Sequence, residues 1–305
     1  MMNDEKLLMC EVATLYYEKK LTQQEIADIM KLSRQTVSRL LGDAVKEKIV
    51  EFKIHNPEKD CRLLENAICK KFKVNSVVVC GVSSRNESVR RMMTVKSAAE
   101  HIAPLLRESG QKIAVSWGRT IQALIEELPD MTTDGNTVFP LFGATDNVDS
   151  CFLSNEFARG LADKLHADVK YAWFPYLPDN SEDGVLLKKT SYYKAVESLW
   201  NDIDIAIVGI GNTDVLDLFE QTFKSGKDRQ GAIGDIATHF FTENGELLNI
   251  YENTLCASAE SIGKAKKTIA VASGDAKIKA IKGALLTGLV DILITDEYTA
   301  AELVK

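Results

Sequence analysis

Residues 33 to 39 read Ser-Arg-Gln-Thr-Val-Ser-Arg, a segment with two guanidinium groups, one carboxamide, three hydroxyls and no acid. Arg34, Gln35 and Arg39 can bond bidentately to guanine or adenine edges. Thr36 can meet a thymine methyl, and the smaller hydroxyls of Ser33 and Ser38 can hold phosphates. A different chemistry gathers at Val115-Ser116-Trp117-Gly118-Arg119-Thr120, where a glycine flanked by hydroxyls separates an apolar run from a helical pattern. Free amides at such a junction form an anion site. Arg119 puts a cation in the first turn of the helix, where it opposes the macrodipole at a cost of about 0.3–1 kcal/mol unless something negative lies nearby. Lys277, just after Ser273-Gly274-Asp275, repeats the arrangement. Either cation alone also reads as a solvated side chain with a local partner such as Asp275. Occurring at two strand-to-helix junctions, the pattern favours a phosphorylated ligand.

The elements that must position the first group are helices. Leu8, Val12, Leu15 and Tyr16 repeat at helical spacing over Asp4 to Lys20. Thr22 and Glu25 have the spacing of a capping box that starts a second helix through Met30. After a tight break at Lys31 and Leu32, Ser33 caps a third helix with Val37, Leu40, Leu41 and Val45 on its inner face. Ile26, Ala27, Met30, Leu32, Val37 and Leu40 fall at the offsets of a helix-turn-helix, with Lys31 at a turn position that often holds glycine. The DNA-contacting set is therefore Thr22, Gln23, Ser33, Arg34, Gln35, Thr36, Ser38 and Arg39. Alternation over Ile49 to His55 suggests a short strand or wing, Asn56-Pro57 breaks the chain, and Glu58 to Phe72 reads as a connecting amphipathic helix.

Beyond it, apolar runs end at a glycine or proline: Ser76 to Gly81, Lys112 to Gly118, Thr137 to Gly143, Val169 to Pro175, Ile205 to Gly211 and Thr268 to Gly274. Helical patterns over Arg119 to Leu128, Asn155 to Lys164, Asp275 to Thr287 and Glu297 to Val304 alternate with them. Such alternation predicts a mostly parallel sheet with helices on its faces, and ligands bind such sheets at the carboxyl ends of strands. Gly209-Ile210-Gly211 lacks the full dinucleotide fingerprint and reads as a tight turn. Gly234-Asp235-Ile236 offers a carboxylate suited to sugar hydroxyls or to capping a turn. The resulting layout is residues 1–56 as a DNA-binding domain, 57–73 as a connecting helix and 74–305 as an effector-binding and oligomerisation domain.

The 305 residues carry 37 Lys and Arg against 44 Asp and Glu, a net charge of -7 that argues against coating nucleic acid through bulk positive charge. Residues 1–57 hold nine of each sign, so the whole acidic excess lies in the second part. Few phosphate neutralisations imply weak binding per subunit and hence an oligomer on repeated half-sites. The six cysteines form no C-x-x-C pair and none lies within five residues of any of the four histidines, which disfavours a metal or redox site. The charged start and the lack of a long apolar run predict a soluble, cytoplasmic protein without a membrane span.

The combination resembles the SorC family of bacterial sugar-responsive transcriptional regulators, in the branch of deoxyribonucleoside and central glycolytic regulators. The likeness rests on Leu15-Tyr16-Tyr17, Gln24-Glu25-Ile26-Ala27, Ser33 through Leu41, Val115 through Thr120, Gly234-Asp235-Ile236, Ala272-Ser273-Gly274 through Lys277, Ala280-Ile281, Gly283-Ala284-Leu285, Gly288 and Ile294-Thr295-Asp296-Glu297. It covers essentially the whole chain. It implies an α/β protein: an N-terminal winged helix-turn-helix plus a Rossmann-like α/β effector domain similar to glucosamine-6-phosphate deaminase and ribose-5-phosphate isomerase. It further implies a tetramer without cofactor, binding double-stranded operator DNA under control of a phosphorylated sugar or polyol. Ser116, Gly118, Arg119 and Thr120 would hold phosphate, Lys277 would pair with it, Asp235 would meet sugar hydroxyls, and Gly143 and Asn155 would border the pocket. Ser273 departs from a position that often holds glycine, and the Thr137 to Gly143 strand end has no lysine for imine chemistry.

Two other readings compete. A sugar-phosphate isomerase or deaminase would need an acid or base beside the substrate carbon, and Asp235 is the one candidate. A helix-turn-helix that binds protein instead of DNA would not depend on Arg34 and Arg39.

Overall fold

The computed structural model describes residues 2–52, 60–145, 153–212, 231–251 and 253–305. The chain divides into two units, Met1–Glu58 and Lys59–Lys305.

In the first unit the expected opening helix forms as α1 (Met2–Ala13), followed by a π-helical turn (Thr14–Glu18). Thr22 caps α2 (Gln23–Met30): its hydroxyl accepts from the Glu25 amide at 3.3 Å while the Glu25 carboxylate accepts from the Thr22 amide at 2.8 Å. Lys31 takes the left-handed conformation at φ 55°, which costs a non-glycine residue about 1 kcal/mol. The Leu32 amide then closes on the Ala27 carbonyl at 2.9 Å. Ser33 caps α3 (Arg34–Lys46), its hydroxyl accepting from the Thr36 amide at 3.0 Å. Val12, Ile26, Val37 and Ala44 are fully buried between the three helices. The expected wing is corrected over its described part: Ile49–Phe52 form no strand. The amides of Ile49 and Val50 both fold back onto the Ala44 carbonyl, at 2.9 and 3.1 Å, so the chain wraps the end of α3 instead of extending. Residues 53–55, and the Asn56-Pro57 break, lie outside the described residues.

The second unit begins with α4 (Arg62–Phe72). The amphipathic helix expected over Glu58 to Phe72 forms here from Arg62, where Asp60 captures both the amide and the guanidinium of Arg62. It packs against β1 (Ser76–Cys80) and the last helix. Then come α5 (Glu87–Leu105), β2 (Lys112–Val115), α6 (Arg119–Glu127), β3 (Thr137–Pro140), α7 (Ser154–Leu165), β4 (Asp168–Val169), α8 (Ser181–Lys189), α9 (Ser191–Trp200) and β5 (Ile205–Asn212). A meander of β6 (Gly234–Ile236), β7 (His239–Phe241) and β8 (Leu247–Leu248) follows. α10 (Ala259–Gly263), β9 (Lys267–Val271), α11 (Ile278–Leu286), β10 (Ile292–Asp296) and α12 (Glu297–Val304) complete the order.

The path β1-β10-β9-β5-β2-β3-β4 is parallel at every pairing, as alternation of strands and helices requires. β6 adds an antiparallel meander to the far end of β5. The strand expected over Val169 to Pro175 stops at Val169. Past it, Asn155 binds both backbone groups of Ala172, and Phe174 leaves the sheet to pack against Tyr193 and Trp200. The helix expected from Asp275 opens as a 3-10 turn (Asp275–Lys277) before α11.

Candidate functional site

On α3, Arg34, Gln35, Ser38 and Arg39 are exposed, and Arg34 forms no ion pair among the described residues. Arg39 does: its guanidinium lies 3.1 Å from Asp43 and 3.7 Å from Glu5. Ser33 and Thr36 share a hydroxyl–hydroxyl bond of 2.8 Å, so both act in the cap before they can act on a partner. Thr22 is likewise engaged by Glu25, and Gln23 opens α2 half-buried. Arg34 at the start of α3, with no ion pair among the described residues and with Gln35 and Ser38 beside it, can read base edges, while Lys31 adds positive charge to the same end.

The residues of the second site meet because β5 is flanked by β9 on one side and β2 on the other. The turns that follow β2 and β9 therefore stand two strand spacings, about 10 Å, apart. Their geometry matches. Gly118 has φ 111° and ψ 156°, Gly274 has φ 114° and ψ 149°, and no side chain caps the helical segment that either one starts. That backbone region is essentially restricted to glycine. Arg119 is exposed beyond the first turn, with no ion pair among the described residues, and Thr120 is half-buried. Lys277, beyond the second, donates to the Ile210 carbonyl at the end of β5 at 2.8 Å.

Asp235 pairs with Gly211 in the register of β5 and β6 and is buried. Burial pushes its carboxyl up to about 6, against the opposing pull of the Thr238 amide, which donates at 3.1 Å, and of the Lys277 ammonium. The carboxylate of Asp235, the ammonium of Lys277 and two glycine turns thus face one set of strand ends, an arrangement that can hold hydroxyls and an anion together. Asp275, the partner suggested for Lys277, pairs instead with Arg90 at 2.6 Å.

Other expected members serve the framework. The Ser116 hydroxyl is buried, accepts from the Gly209 amide at 3.1 Å and lies 3.3 Å from the Trp117 carbonyl, which fixes β2 to β5. Gly143 lies so close to the chain at 174–175 that a Cβ there would sit 2.6 Å from the Phe174 carbonyl oxygen. Asn155 is occupied with Ala172 at 2.9 and 3.3 Å. The sequence reading missed Tyr176, a buried phenol beneath the site whose titration burial drives well upward, and Arg90. Neither stands in a motif, and an arginine inside a helix reads as surface. His239 is no candidate base: its Nε2 lies 2.8 Å from the Ala257 carbonyl, and burial lowers its proton affinity. Among the described residues no cluster of His, Cys, Asp and Glu has the geometry of a metal site, and no helix is long and apolar enough to cross a membrane.

A helix-turn-helix on one unit and a ligand site at the strand ends of a parallel sheet on the other define a DNA-binding protein that responds to a small molecule. Residues 56–305 match the family of sugar-binding domains, and residues 11–47 match region 4 of sigma-70. The chain is 29% identical to the sorbitol operon regulator of Klebsiella pneumoniae over 99% of both chains, and 25% identical to the deoxyribonucleoside regulator of Bacillus subtilis over 99% and 98%. Its fold follows the crystal structure of the full-length sorbitol operon regulator SorC from Klebsiella pneumoniae with a TM-score of 0.74, covering 99% of this chain and all of that one. The chain belongs to the SorC family: it is a sugar-binding transcriptional regulator and not an enzyme of the related fold.

Proposed function

We propose that the effector is a phosphorylated sugar or polyol bound across the carboxyl ends of β2, β5 and β9. The observation that carries this reading is the matched pair of glycine turns, each followed by a cation that a bound anion would offset. Gly118, Arg119 and Thr120 hold the phosphate with Lys277, Asp235 accepts from sugar hydroxyls, and Ser116, Gly143 and Asn155 keep the strand ends in place. The names of the sorbitol and deoxyribonucleoside regulators support a polyol or sugar as the ligand class. A thermal-shift screen of phosphorylated and free sugars and polyols tests it: phosphate esters raise the melting temperature, and Arg119→Ala and Lys277→Ala abolish the shift. A response to free sugars alone removes the phosphate from the reading.

The operator is double-stranded DNA read by Arg34, Gln35, Thr36, Ser38 and Arg39, with Thr22, Gln23 and Ser33 at the backbone, in the cytoplasm. Equal numbers of positive and negative residues over 1–57 leave little electrostatic affinity per subunit, which supports an oligomer engaging repeated half-sites, and the resemblance to the family makes a tetramer the form we propose. Effector binding changes DNA affinity through the difference in its affinity for two arrangements of that oligomer, typically 1–3 kcal/mol. Sedimentation of a stable monomer that still binds operator tightly overturns the oligomer.

A further inference from the structure

We propose that Arg90, Asp296 and Thr299 are positioning residues that hold the Gly274–Lys277 turn, and through it Lys277, in the form that receives the effector. The inference rests on the placement of Lys277 in the effector site.

The turn is gripped twice. On its inner side the Gly274 amide donates to the Thr299 hydroxyl at 3.0 Å, and that hydroxyl donates to Asp296 Oδ2 at 2.5 Å. On its outer side the carboxylate of Asp275 accepts from Arg90 Nη2 at 2.6 Å. The two grips meet at one residue, because Arg90 Nε lies 3.3 Å from Asp296 Oδ1, the same oxygen that caps α12 through the amides of Tyr298 and Thr299. Arg90 is further fixed by the Arg85 carbonyl at 2.8 Å and by the Tyr298 ring at 4.9 Å. Asp296 is 0% and the Arg90 side chain 4% exposed, whereas the Asp275 side chain is 66% exposed. Burying a cation and a carboxylate away from water is unfavourable unless geometry repays it, and here the geometry fixes a turn whose middle residues, Asp275 and Ala276, are exposed. The first turn of α5 closes over that turn: a Cβ on Gly274 would sit 2.6 Å from Glu87 Oε1. Held in this way, Asp275 is kept for Arg90 and Lys277 reaches the end of β5. A lysine could replace only part of this, because Arg90 uses separate nitrogens for its hydrogen bonds to the Arg85 carbonyl and Asp275 while its Nε stands in ion-pair range of Asp296 without a hydrogen bond.

The test uses the full-length protein and Arg90→Ala, Arg90→Lys and Asp275→Asn. Hydrogen exchange over residues 274–278 rises about tenfold in Arg90→Ala and Asp275→Asn while protection of β2 and β5 stays at the parent level, as expected for a local opening. Acetic anhydride labels Lys277 several times faster in both variants, and Arg90→Lys recovers part of the loss. Inorganic phosphate slows that labelling in the parent and does so less in Asp275→Asn. Unchanged exchange and labelling in Asp275→Asn overturn the proposal, as does a uniform loss of protection across the sheet. If Arg90→Ala does not fold, Asp275→Asn decides the matter, since it alters only an exposed carboxylate. Phosphate that protects Lys277 in no protein, with the turn loosened as expected, counts against the effector site and leaves the clamp standing.

Discussion

Every side chain proposed for the first unit's contact with DNA belongs to α3, its cap or the start of α2, between residues 22 and 39. The groups proposed for the second unit's effector site come from residues 116–120, 209–212, 234–238 and 273–277, which lie far apart in the chain and are brought to one side of the sheet by the strand order. In the first case recognition is a property of one helix face, and the core beneath it has only to present that face. In the second, the backbone itself is part of the site, so its integrity and its chemistry stand or fall together. The two units should therefore fail differently.

The largest difference is expected for Gly234→Ala. A Cβ at this position would meet the Gly211 carbonyl oxygen at 2.4 Å and the Ala280 Cβ at 2.9 Å. Backbone cannot yield as a side-chain tip can, so the substitution costs more than about 3 kcal/mol, the upper end for overpacking. Hydrogen exchange should show β5, β6 and α11 losing protection while α1–α3 keep theirs. Equal loss in both units would break the comparison.

Next in size is Asp235. Its carboxyl titrates near 6 in the folded chain, above an ordinary aspartate at 3.8, so the folded state holds the extra proton between those values. Stability from this group is complete below about pH 4 and declines as pH rises to about 6, by roughly 3 kcal/mol at 1.36 kcal/mol per pH unit. Denaturant melts of the parent and Asp235→Asn from pH 4 to 7 should differ in slope over that window alone. A ligand hydroxyl that donates to the carboxylate should bind better toward the upper end.

The contrast explains what could be read in advance. Caps and turns are local: Thr22 with Glu25, the left-handed Lys31 and Ser33 all stand where spacing predicts. The parallel strands β1, β2, β3, β5 and β9 announce themselves as apolar runs ended by glycine. The long helix α5 does not, since its inner face carries Arg90 and Thr94 buried among alanines and Pro104 sits inside its last turn. The same holds for β10, whose buried Asp296 reads as a helix cap and not as a strand residue. At the site, sequence finds the two glycine turns but not which carboxylate answers which cation. Arg90 and Asp275 are 185 residues apart, and nothing local ties them.

Within the first unit the same logic separates two arginines. Arg34→Ala should weaken binding to a duplex selected from a random pool by about 1–3 kcal/mol and relax the preference at one base position, with little change on random DNA. Arg39→Ala should cost less. Its guanidinium already has Asp43 at 3.1 Å and Glu5 at 3.7 Å, and any contact with DNA must displace them. An exposed pair four residues apart on a helix contributes about 0.3–0.5 kcal/mol, which is the handicap Arg39 carries. Asp43→Asn should therefore tighten DNA binding by about twofold at low salt, with the gain shrinking as salt screens the pair. The gain should vanish in the Arg39→Ala background, a double-mutant cycle that isolates the pair from the general effect of removing a negative charge. Persistence of the full gain there would show that Asp43 repels DNA directly and that Arg39 is free to bind it.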